Sequence, residues 1–162
     1  MENIRRLQQQ VKIARYMLLG TVIATVINLA LLLAGSEMYI VYSAAIAYYL
    51  GWFGFLFDGG IPGQMTAVGL ALAAAVLIGY LIAWYLASDR PVWLKIGLGM
   101  VALDAILLLA LVIWMGSGIM AFFWELALHG AVIYEIYLGI TAQKKLSGLP
   151  QQAAAEESDS PL

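Results

Sequence analysis

MYIVYSAAIAYYLGWFGFLF, residues Met38–Phe57, runs on without a single charge. A membrane helix needs about 20 mostly apolar residues to cross roughly 30 Å of hydrocarbon. The stretch is therefore long enough to span, and whether it does sets the direction of every helix after it. It also carries eight aromatics, Tyr39, Tyr42, Tyr48, Tyr49, Trp52, Phe53, Phe55 and Phe57. Tyr and Trp favour the headgroup level of a bilayer, and Gly51 and Gly54 permit a bend. That composition suits a re-entrant or interfacial segment as well as a plain span.

The flanking sequence arbitrates. Four further stretches are apolar enough to cross: Tyr16–Ala34, Met65–Ala87, Val92–Met115 and Ile119–Ile140. The basic residues are Arg5, Arg6, Lys12, Arg15, Arg90, Lys95, Lys144 and Lys145. Short cytoplasmic loops collect Lys and Arg. If Met38–Phe57 does not cross, all eight lie on one side, and the other keeps only Glu37 and Asp58. If it crosses, the eight divide four and four. The expected fold class is therefore all-α: a polytopic transmembrane bundle of four spans plus an aromatic-rich re-entrant or interfacial outer segment. Five spans is the alternative. Both termini are expected in the cytoplasm of a bacterial cell.

Composition agrees. Of 162 residues, 64% are hydrophobic and 11% charged, against ten acids, eight bases, one histidine and no cysteine. Soluble domains carry about 25% charged residues. A soluble enzyme and a nucleic-acid binder are excluded on this ground. The lack of cysteine removes thiol chemistry, iron–sulfur clusters and disulfides. No cofactor is expected. The expected partners are the lipid bilayer and either another membrane protein or a second copy of the chain.

Residues 1–15 place Ile4, Leu7, Val11 and Ala14 at helical spacing among Arg5, Arg6, Gln8 and Lys12. This predicts a basic amphipathic cytoplasmic lead-in. A signal peptide is the rival, disfavoured because the apolar run after Arg15 exceeds the usual length. Residues 16–145 form the transmembrane domain, and 146–162, with two prolines and three acids among Gln, Ala and Ser, predict a disordered tail.

Three polar residues inside the spans could carry chemistry. Asp104 sits at the centre of Val92–Met115, where an aspartate costs about 2.5–3.5 kcal/mol to insert. Eleven Leu, Ile or Val residues between Ile96 and Ile113 offset that cost. Glu125 and His129 are four apart, on one helical face. Asp104 lies thirteen residues before Ser117 and His129 twelve after it. An antiparallel hairpin therefore sets the two at one depth, with Glu125 about 6 Å nearer the outer face. The three form a candidate intramembrane polar cluster. It could relay protons, act as acid and base on a lipid-like substrate, or fix helix register. A metal is disfavoured because no second histidine exists.

Asn28, in a stripe with Gly20 and Ala24, needs a polar partner in the outer half of the bilayer. Small residues in this stripe, and at Gly69, Ala73, Gly79, Ala83 and Ala87, predict close helix packing or a partner surface. Lys95 and Glu135 fall near the cytoplasmic boundary, as an ion pair or by snorkelling.

Several short motifs are spread along the chain: Asn28-Leu29 before a leucine run, Tyr39, Tyr42-Ser43-Ala44, Tyr48-Tyr49-Leu50, Leu103-Asp104 with its leucine run, His129 with Tyr134, Leu138-Gly139, Ala142 and Lys144-Lys145-Leu146. On these residues the chain resembles a group of small bacterial multi-span membrane proteins without an assigned activity. In that group the acid near Glu125 is more often an aspartate closer to the histidine. The resemblance implies architecture and draws attention to Asp104 and His129.

Three functions remain open from the sequence. The first is a small non-catalytic membrane assembly or accessory protein. The second is a proton- or small-ligand-handling protein centred on Asp104 and His129. The third is an intramembrane acid–base enzyme.

Overall fold

The chain leaves its first helix, runs back alongside it in extended form, and only then begins its second. A computed structural model describes residues 2–88, 90–116 and 119–158. Its elements are α1 (Glu2–Leu33), α2 (Ala45–Phe57), α3 (Gln64–Leu86), α4 (Val92–Trp114), a 3-10 turn at Ile119–Phe122, and α5 (Phe123–Ser158). Among the described residues there is no strand.

Asn3–Leu33, Gln64–Leu86 and Val92–Trp114 are long and apolar enough to cross a membrane. Their outward faces carry Ile23, Val26, Ile78, Leu103, Ile106 and Ile113, all exposed. A water-soluble monomer rarely exposes so continuous an apolar surface. The fourth expected stretch, Ile119–Ile140, becomes the 3-10 turn and the first half of α5. It is not among those three helices. Glu125, His129 and Glu135 make it the most polar of the four.

α1 stops because Gly35 follows Ala34 with φ +66°. The Gly35 N–H donates to the Leu32 carbonyl and the Ser36 N–H to the Leu31 carbonyl, both at 3.0 Å. This is a Schellman closure, which needs a left-handed residue that glycine supplies without a Cβ clash. Residues 36–44 then descend beside the last three turns of α1. α2 begins at Ala45 and climbs back. Its 13 residues make a helix of about 20 Å at 1.5 Å per residue. α2 packs against α3 at backbone distance: a Cβ on Gly69 would collide with the Leu50 carbonyl. Glycine is required there by that close approach.

α1 and α5 pair along their length. Ala14 rests against Gly139, and Asn3, Arg6 and Gln10 share a cleft with Lys145. Arg15 reaches Trp84 near the end of α3. The start of α1, the α3–α4 turn and the second half of α5 thus meet at one basic end. Residues 2–15 form the first part of α1, which runs on from them without a break. α5 likewise stays helical through Ser158, into the stretch 146–162 where composition predicts disorder. Gln, Ala and Glu in 151–157 are good helix formers.

The core between the helices is apolar: Leu18, Val22, Leu29, Leu77, Tyr80, Leu94, Val101 and Ile136 are buried together. Ala73, Ala83 and Ala87 are also buried in it. The small residues of α3 therefore serve packing within the bundle, while Gly20 on α1 is open.

Candidate functional site

α2 begins inside the bundle, and its first amides need acceptors. The first four N–H groups of any helix have no partner within it. Ala44, at the N-cap, has no side chain to offer. Asp104 supplies the cap from another helix. Its Oδ2 accepts the Ala45 N–H at 2.7 Å and its Oδ1 the Ile46 N–H at 2.8 Å. The carboxylate also faces the positive end of the α2 dipole. Asp104 is fully buried in the middle of α4.

His129 completes this arrangement. Its Nε2 lies 2.9 Å from Asp104 Oδ2 and its Nδ1 lies 2.8 Å from the Glu125 carbonyl oxygen. A backbone carbonyl only accepts, so Nδ1 carries a hydrogen. A bare Nε2 would then face a bare carboxylate oxygen, two lone pairs in contact. One proton therefore lies on the Nε2–Oδ2 line. The two amide donors fix the carboxyl group in place against the histidine. The edge of the Tyr42 ring packs on His129, with centroids 5.0 Å apart.

The Glu125 side chain joins through a different route. Its Oε1 accepts the Tyr39 hydroxyl at 2.8 Å, and Ser43 Oγ donates to the same Tyr39 oxygen at 3.1 Å. Glu125 is only 4% exposed. The expected depth match of Asp104 and His129 is thus a direct contact, while Glu125 touches His129 through its backbone carbonyl.

Asn28 has the polar partner that its position demands. Its Nδ2 donates to the Ile40 carbonyl at 2.9 Å and its Oδ1 accepts the Ile40 N–H at 2.8 Å. Thr25 Oγ1 accepts the Ala44 N–H at 2.7 Å and donates to the Thr21 carbonyl. Thr21 Oγ1 donates to Met17, so the Tyr42 hydroxyl donates to Thr21 at 2.8 Å. Thr21, Thr25 and Asn28 on α1 therefore form a polar ladder for an extended strand of chain that has no sheet to join. Thr25, Tyr39, Tyr42 and Ser43 were not singled out as site residues from the sequence. The signal available was Thr21, Thr25 and Asn28 on one face of a span, three polar groups that require partners.

Lys95 and Glu135 make no ion pair; the one such contact among the described residues is His129 with Asp104. Snorkelling remains the account of Lys95, which is exposed. Among the described residues no group of three His, Asp or Glu side chains is placed to hold a metal ion. A groove of about 210 Å³ opens sideways between α2 and α4. Its walls are Ala45, Ile46, Tyr49, Phe53, Leu107 and Leu111 among others, without Asp104, Glu125 or His129.

Compared with protein-family models, curated proteins and solved structures, the chain matches none.

Proposed function

We propose that the chain is a non-catalytic integral membrane protein, an assembly or accessory component of a bacterial cytoplasmic membrane. In this reading α1, α3, α4 and the first half of α5 cross the bilayer. Residues 36–57 enter and leave on the outer side, and both termini are cytoplasmic. The length of α2 supports this, since about 20 Å of helix falls short of roughly 30 Å of hydrocarbon. So does the gathering of basic residues at one end.

One observation carries the non-catalytic reading: every oxygen of Asp104 is already occupied by the start of α2 or by His129. A general acid or base needs a face turned to substrate. Here the faces are turned to the protein's own backbone. Non-helical backbone survives at membrane depth only where protein satisfies its polar groups, and Asn28, Thr25 and Asp104 together meet that need at Ile40, Ala44, Ala45 and Ile46. The role read from it is a latch that holds a re-entrant hairpin, with the bilayer and a membrane protein or second copy as partners.

The shared proton between His129 and Asp104 favours a second reading, in which the cluster binds protons for a function. Two measurements separate the readings. Native mass spectrometry of protein extracted in mild detergent should release it with a stoichiometric protein partner or as a self-assembly. Proteoliposomes under a potassium–valinomycin potential should carry no proton current above empty vesicles. A current abolished by Glu125→Gln, with α2 still latched, would replace the first reading by the second. For topology, Ser88→Cys, the chain's single thiol, should react with an impermeant maleimide only after cells are opened. Labelling of intact cells would overturn the four-span arrangement.

A further inference from the structure

Away from the polar cluster, at the basic end, a cavity of about 250 Å³ lies between α1 and α3, lined by Gln8, Val11, Lys12, Arg15, Tyr16 and Trp84. Gln8, Lys12 and Arg15 fall at i, i+4 and i+7, so one face of α1 presents all three. The Arg15 Nε–H donates to the Trp84 carbonyl at 3.2 Å. That bond spends one of five guanidinium donors and anchors the group, and the four donors on its terminal nitrogens remain for another acceptor. Lys12 Nζ stands 5.8 Å from the centre of the Tyr16 ring, a cation held beside an aromatic at the level where such rings meet headgroups. The lining contains two cations and no carboxylate.

We propose that this cavity binds the phosphodiester headgroup of an anionic phospholipid from the cytoplasmic leaflet. Arg15 offers the paired N–H geometry that phosphate oxygens accept, and Lys12 adds a second positive charge. Basic pockets between membrane helices on the cytoplasmic side suit such headgroups. The surface beneath the cavity selects a lipid over a free anion. Ile23 lies three turns beyond Lys12 and Val26 three turns beyond Arg15, each on the same face of α1 as its cation, and both are exposed. Acyl chains hanging from a phosphate at Arg15 would run along them. Tyr85, next to Trp84, is also exposed and marks the same level of the bilayer. The proposal depends on the membrane placement of α1 and α3 and is independent of whether the polar cluster has a function.

The test is native mass spectrometry of the delipidated full chain with added phosphatidylglycerol or phosphatidylcholine. Phosphatidylglycerol should be retained and phosphatidylcholine lost at the same activation energy. Arg15→Gln should weaken phosphatidylglycerol binding roughly tenfold. Lys12→Gln, at an exposed position that folding does not need, should weaken it by a smaller factor. Lys144→Gln, which removes one charge from the same end, should leave it unchanged. Equal retention of the two lipids, or an unchanged affinity in Lys12→Gln and Arg15→Gln, would overturn the proposal. Displacement of the lipid by millimolar inorganic phosphate would reassign the cavity to a free anion and overturn the lipid assignment.

Discussion

Asp104 and Ala45 stand 59 positions apart in sequence and 2.7 Å apart in space, carboxylate to amide. This bond and its neighbour to Ile46 are what allow a helix to begin within the bundle. The carboxylate does there what an N-cap side chain does elsewhere, from a different helix.

Asp104→Asn should lower stability by about 3 kcal/mol, since it leaves buried hydrogen-bonding groups without partners at roughly 1–3 kcal/mol each. An asparagine keeps one acceptor but turns an NH2 group toward an amide or toward His129. Thermal unfolding in detergent reads the loss. A cysteine at Ser43, buried in the native chain, should also react faster with maleimide in the variant. Unchanged melting and unchanged labelling would mean that Asp104 does not hold α2.

Asn28→Ala should cost about 3 kcal/mol, because it strands both the N–H and the carbonyl of Ile40 at roughly 1–3 kcal/mol each. Asn28→Asp should be nearly as harmful, since it replaces the donor facing the Ile40 carbonyl by an acceptor. A melting temperature equal to that of the parent in both variants would contradict the ladder on α1.

Tyr80 is fully buried, and its hydroxyl has no hydrogen-bond partner among the described residues. Removing an unpaired buried hydroxyl relieves its desolvation cost, so Tyr80→Phe should raise stability by about 1 kcal/mol. A fall in melting temperature would reveal a partner on that oxygen, such as an internal water.

Asp58 closes the turn between α2 and α3. The Thr66 amide and hydroxyl, at 2.6 and 2.7 Å, hold its carboxyl below the usual carboxylate range. A carboxyl depressed in the folded state stabilises fully above its ordinary value of about 4. That contribution declines as pH falls from there through the lowered value. The melting temperature should therefore drop with acidity below about pH 4, and Asp58→Asn should flatten this part of the profile. A profile identical in the variant would remove Asp58 from the account.

The sequence carried the common depth of Asp104 and His129, because counting residues from a tight turn fixes relative depth in an antiparallel hairpin; that their faces turn toward each other was not legible and comes from the structure. It carried the need of Asn28 for a partner, because an amide in a span is costly alone. The identity of that partner was not legible. Ile40 contributes backbone, and every residue type has the same backbone. For the same reason Ala45 and Ile46 gave no hint that their amides face Asp104. The break after Ala34 was visible only as Gly35, and nothing local in Met38–Phe57 divides it into an extended half and a helical half. That division is set by Thr25, Asn28 and Asp104 on other elements. The aromatic content of the stretch did mark it as unlike an ordinary span.

The Asp104 cap imposes an order on biosynthesis. A ribosome adding about 5–20 residues per second delivers Asp104 roughly 3–12 s after Ala45, with His129 later still. Until then the first amides of α2 have only water or the translocon to bond with. The start of α2 therefore stays uncapped while α3 and the first half of α4 are made. A chain arrested before Asp104 lacks the acceptor for the first amides of α2, so a residue in the middle of α4 governs where a much earlier helix begins.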